Sequence, residues 1–191
     1  MKRRRWKPHR KGCAAVVNEY EHLFDLLPGE FSRLADETVS EYPRTWRLVG
    51  ALGYRERSGR LWVMPDGMYT DFTSSPRWGW WYHPPRMGQG DRAAGNHDFL
   101  RRCYALIGIT VRESDWIFRE ALRDDGIGKR KALTKTLSVL LQGAFDRSSG
   151  MGEHADSRFN GPLRNGEPLA SWVARHYRPD GNGFMETRNG T

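Results

Sequence analysis

The sequence predicts an α+β fold: a small antiparallel β-hairpin or sheet packed on a three- to four-helix unit, with extended N- and C-terminal arms. Three observations carry the prediction. Residues 46–64 hold two strand-like stretches about a tight turn, residues 92–146 hold three helix-length stretches, and both ends are poor in apolar residues. The chain has 191 residues, 38% hydrophobic and 12% aromatic, enough for the core of one domain. Residues 1–12 read as a basic arm, 13–146 as a single domain and 147–191 as an extension rich in Gly, Asn and Arg.

In chain order, residues 14–27 read as a short helix from Ala14, Ala15, Val16 and Val17 through Leu23, Phe24 and Leu27, stopped by Pro28-Gly29. Residues 29–43 read as a connector. Leu52 and Tyr54, then Leu61 and Val63, alternate with polar or exposed positions. They predict a half-buried hairpin over 46–57 and 60–64, turned at Arg57-Ser58-Gly59-Arg60. Residues 65–90 read as a loop dense in aromatics. Helices follow at 92–106 with Asp91 as cap, at 111–124 with Thr110 and Glu113 as capping box and Gly126 as stop, and at 130–146. Beyond Asp146 the apolar residues gather near Leu169-Ala170-Ser171-Trp172-Val173, so the extension is expected to wrap the body or a partner.

Composition excludes some classes. No window approaches the roughly 20 apolar residues of a membrane helix. Cys13 to Val17 is too short an apolar stretch for a signal peptide, so the chain is expected to be made in the cytoplasm. Cys13 and Cys103 match no zinc spacing and no disulfide framework. The net charge is +8, and Lys2, Arg3, Arg4, Arg5, Lys7, Arg10 and Lys11 supply seven of those charges with no acid among them, so the body is nearly neutral. Such a run either holds phosphate by counterion release or stays a solvated tail. Arg3, Arg4, Arg5 and Lys7 are therefore candidate nucleic-acid contacts. Trp78, Trp80 and Trp81, beside Arg77 and Arg86, are candidates for stacking on bases or sugars, or for packing and a subunit interface.

Helical phase locates the candidate chemistry. Over 92–106 the apolar stripe is Ala93, Leu100, Cys103, Tyr104 and Ile107, and His97 lies on it. Over 111–124 the stripe is Val111, Phe118, Ala121 and Leu122, and Asp115 lies on that one. A buried carboxylate needs a partner, and a short link joins the two helices, so a His97–Asp115 contact is expected. Asp98 sits about 100° round the helix from His97, and Asp71 comes from the loop after the hairpin. In one reading Asp115 orients His97, Asp98 pairs with Arg101 or Arg102, and Asp71 caps a turn. In the other, Asp71, His97 and Asp115 converge on a divalent metal that activates water. The chain has no phosphate-binding Gly-rich loop before a helix, no Gly-x-Ser-x-Gly elbow and no His-Glu-x-x-His.

Three strings carry a family resemblance. The first runs from Trp62 to Pro76 and contains Pro65-Asp66-Gly67 and Thr70-Asp71-Phe72-Thr73-Ser74-Ser75-Pro76. The second is Ala93-Ala94-Gly95-Asn96-His97-Asp98-Phe99-Leu100, and the third Ser114-Asp115-Trp116-Ile117-Phe118-Arg119-Glu120-Ala121. Together they resemble the phage-associated domain of unknown function 1353 family over about residues 61–145. The chain departs from that pattern at Met68, at Gly95-Asn96 and at Arg101, where the family often has Tyr. The resemblance implies a tailed-phage or prophage origin and joint importance of Asp71, His97, Asp98 and Asp115. The His97-Asp98 dipeptide is also similar to part of the His-Asp metal-dependent phosphohydrolase signature, although the nearest upstream histidine is His83, in a loop.

The leading expectation is a virion-associated structural protein of tail or head–tail, without cofactor, held by its arms to other virion proteins or to copies of itself. The alternatives are a metal-dependent hydrolase of a phosphoester or cell-wall bond and a nucleic-acid-binding accessory protein.

Overall fold

A computed structural model describes residues 20–38, 45–72, 90–148 and 161–185. The fold is α+β, with two small antiparallel sheets and four helices among the described residues. Strands β1 (Asp36–Thr38), β2 (Trp46–Leu48) and β5 (Tyr69–Thr70) form a three-stranded sheet in the order β1-β2-β5, with Asp36 opposite Leu48 and Trp46 opposite Thr70. Strands β3 (Leu52–Arg55) and β4 (Leu61–Met64) form a separate hairpin, with Leu52 opposite Met64. Helices α1 (Asp91–Ile107), α2 (Val111–Asp124) and α3 (Lys129–Ser148) follow in succession, and α4 (Leu169–His176) packs back on α1.

The α2 bounds agree with its sequence signals. Thr110 Oγ1 accepts from Glu113 N at 3.0 Å, while the Glu113 carboxylate turns away to Arg60 at 2.7 Å instead of closing the box. Helix α1 starts one residue earlier than expected, and Asp91 is not its cap. The Asp125 carboxylate, at the end of α2, accepts from Gly90 N at 3.0 Å and Ala93 N at 3.4 Å and pairs with Arg92 at 2.6 Å. A negative charge from the neighbouring helix thus sits on the positive end of α1.

Several expectations need correction. Residues 20–27 hold a 3-10 turn at Glu21–Leu23 rather than the end of an α-helix, because Pro28-Gly29 and the packing of Leu23 into the core stop propagation. The stretch 46–57 is two strands in two sheets, broken at Val49–Ala51, where Gly50 turns with φ 80° and donates to Asp66 Oδ1 at 2.8 Å. Strands β1 and β5 lie in segments read as connector and loop. The β3–β4 hairpin is not half-buried, for all four β4 residues are buried. A Cβ on Gly53 would lie 2.9 Å from Leu23, so the N-terminal turn covers one face closely.

The described part of the C-terminal segment, residues 161–185, belongs to the body. Tyr177 accepts from Val63 N at 2.7 Å and donates to Val63 O at 3.0 Å, and Phe184 N donates to Leu61 O at 2.7 Å. These bonds satisfy the open edge of β4, which would otherwise present unpaired backbone. Trp172, Tyr177 and Phe184 then join Tyr20, Phe99 and Trp62 in the core. Gly108 ends α1 at φ 77°, and a Cβ there would meet Pro179 at 2.3 Å, so only glycine fits this crossing.

Candidate functional site

The short link Gly108–Thr110 folds α2 back on α1, and His97 meets Asp115 as helical phase predicts. His97 Nε2 lies 2.8 Å from Asp115 Oδ1, with side-chain exposures of 11% and 2%. Arg101 Nη1 reaches both Asp115 oxygens at 3.4 Å, and the His97 ring stacks on Phe118 at 4.4 Å between centroids. The imidazole is thus fixed by a carboxylate at one edge and an aromatic face beside it. A neutral imidazole donating Nε2–H to Asp115 carries its lone pair on Nδ1.

One residue along α1, a second pair forms. The Thr70 hydroxyl donates to Asp98 Oδ2, and the Asp98 and Asp71 side chains hydrogen-bond to each other. Two carboxyls can share a bond of this kind only if one keeps a proton. Burial, then the Asp71 charge, push the Asp98 carboxyl up to about 8, against the Arg102 guanidinium and the Thr70 hydroxyl, which favour the ionised form. Arg102 in turn donates to Tyr69 O at 2.5 Å, tying α1 to β5.

Backbone geometry places Asp71. Thr70 Oγ1 accepts from Phe72 N at 3.0 Å while donating to Asp98, and Phe72 is left-handed at φ 54°. A bulky residue at positive φ is strained, and it persists only where the surroundings hold it. Here the Phe72 ring is buried against Trp46 at 5.8 Å, and a Cβ on Gly95 would lie 3.3 Å from it. Gly95, a departure from the expected aliphatic, therefore makes room for the ring that seats the Asp71–Phe72 turn.

Of the four candidate residues, the structure makes two couples, His97–Asp115 and Asp71–Asp98, from adjacent positions of one helix. Of the two arginines expected near Asp98, Arg102 is the charge that acts on it, and Arg101 reaches Asp115. Asp71 joins Asp98 instead of only capping its own turn. Among the described residues, no three His, Cys, Asp or Glu side chains gather as a metal-holding group. The other candidates, Arg3, Arg4, Arg5, Lys7, Trp78, Trp80 and Trp81, lie outside the described residues.

Sequence reasoning passed over Thr70 and Phe72, whose signal was the Thr-Asp-Phe string itself. It also passed over Asn96, a fully buried amide beside His97 whose side-chain atoms bond to no described group. Residues 46–139 match the family model described as "Protein of unknown function (DUF1353)", and all four candidate residues fall inside that match. No curated protein matches the chain, and no solved structure does.

Proposed function

Over residues 46–139 the chain belongs to the DUF1353 family, and from the couples that its site forms we propose that the protein is a hydrolase working by general acid–base catalysis. One observation carries the reading. Adjacent residues of α1 hold an imidazole oriented by a buried carboxylate and a carboxyl pushed up to about 8 by burial and by a second carboxylate. An oriented imidazole beside a carboxyl that keeps its proton supplies a base and an acid at neighbouring positions.

In the proposed step His97 takes a proton from water as the water oxygen bonds to the electrophilic centre. Asp98 gives its proton to the leaving oxygen or nitrogen as that bond breaks, and Asp115 steadies the imidazolium. Asp71 keeps Asp98 protonated until then. A carboxyl that keeps its proton is a poor metal ligand and a ready proton donor, so the raised Asp98 favours proton transfer at this site.

The substrate bond is a phosphoester or a cell-wall bond, and the test runs both. Bis(p-nitrophenyl) phosphate and purified peptidoglycan are incubated with the full chain, with and without chelator. The expected result is turnover of one of them, lowered about 100-fold or more in His97→Ala and Asp98→Asn. Turnover of neither, or turnover that survives both substitutions, contradicts the proposal.

A second reading keeps the protein as a virion component of tail or head–tail, and the outward leucines of α3, which suit contact with another protein, favour it. Residues 161–185, part of the C-terminal arm in that reading, pack on the body.

A further inference from the structure

Helix α3 carries leucines on the side away from the body. Its inward positions include buried Lys135 and Thr136 beside Ala132, whereas Leu133, Leu137 and Leu141 are 38%, 48% and 72% exposed. A helix that only covered a core would place its leucines the other way round. The three leucines stand at successive i, i+4 positions and make a ladder about 12 Å long.

The ladder is symmetric about Leu137. A twofold contact pairs residue i with j and j with i. An antiparallel copy centred on Leu137 therefore sets Leu137 against Leu137 and Leu133 against Leu141, leaving no leucine unmatched. Charge selects the same orientation. The first turn carries Lys129, Arg130 and Lys131 with no acid, on the positive end of the helix. A parallel copy would stack cations on cations, whereas an antiparallel copy lays them beside the partner helix's carbonyl end.

We propose that α3 is a self-association surface, on which a second copy of this chain docks antiparallel through Leu133, Leu137 and Leu141. The inference adds to the assembly reading and stands apart from the hydrolytic one. Three leucines fall short of the roughly 800 Å² per partner of a standard stable interface, so the pair is weak and its dissociation is set by concentration.

Sedimentation velocity of the full chain over a concentration series tests the proposal, together with cysteine cross-linking in a Cys13→Ser background. The expected result is a reversible monomer–dimer equilibrium, weakened at least tenfold in Leu137→Glu, with the thermal midpoint unchanged because Leu137 is exposed. On mild oxidation Leu137→Cys should cross-link to itself. Leu133→Cys and Leu141→Cys should cross-link only when mixed. A chain that stays monomeric throughout, a dimer indifferent to Leu137→Glu, or a monomer that instead binds anionic phospholipid vesicles through these leucines overturns it.

Discussion

At Asp98 two requirements meet: the side chain must satisfy Thr70 and Asp71 together, and it does so as a neutral acid. Its carboxyl rises from 3.8 to about 8 in the folded chain. An acid whose folded value lies above its unfolded one binds its proton more tightly when folded. The stability this gives is full below the ordinary carboxyl range and is lost as pH climbs through about 8. Asparagine copies the neutral acid, accepting from Thr70 and donating to Asp71. Asp98→Asn should therefore flatten the fall in thermal midpoint between pH 5 and 9. At pH 9 it should be the more stable form by about 1 kcal/mol. A variant that tracks the wild type across that range would show that Asp98 ionises normally. The His97–Asp115 contact was legible in the sequence because it needs only helical phase and a short link. The Asp71–Asp98 couple was not, since it depends on a left-handed Phe72 that no propensity favours.

At the level of elements, legibility followed the density of local signals. Helix α2 has a threonine cap, a strong apolar stripe and a terminal glycine, and its bounds came out as read. Strands β1 and β5 are three and two residues long, Asp36–Thr38 and Tyr69–Thr70, and neither carries an apolar run. They exist because β2 lies between them. The β4 edge depends on partners more than 100 residues away in sequence, at Tyr177 and Phe184, which no local pattern reveals. Tyr177→Phe leaves Val63 N–H and C=O unpaired inside the core. It should cost about 2–3 kcal/mol in denaturant unfolding and speed amide exchange at Val63. An unchanged exchange rate would mean that this edge is held otherwise.

Across the whole molecule, the acid cluster and the C-terminal clamp lie on different sides of α1: Asp115 and Asp71 meet it at His97 and Asp98, while Trp172 and Tyr177 meet it at Phe99. One helix thus joins the site to the closure of the fold. No helix among the described residues is long and apolar enough to cross a membrane. Charge is distributed unequally, with seven of the net eight positive charges in residues 2–11. Removing residues 1–11 should leave unfolding unchanged and abolish the salt-dependent part of binding to DNA or heparin. A truncated chain that binds as tightly and as salt-sensitively would place the basic surface elsewhere. The proton shared by Asp71 and Asp98 is tested most directly by carboxyl-carbon NMR titration of aspartate-labelled protein. One resonance should titrate near pH 8 and vanish in Asp98→Asn. If every aspartate titrates in the ordinary range near 4, the pair shares no proton at neutral pH and the acid–base reading of the site is contradicted.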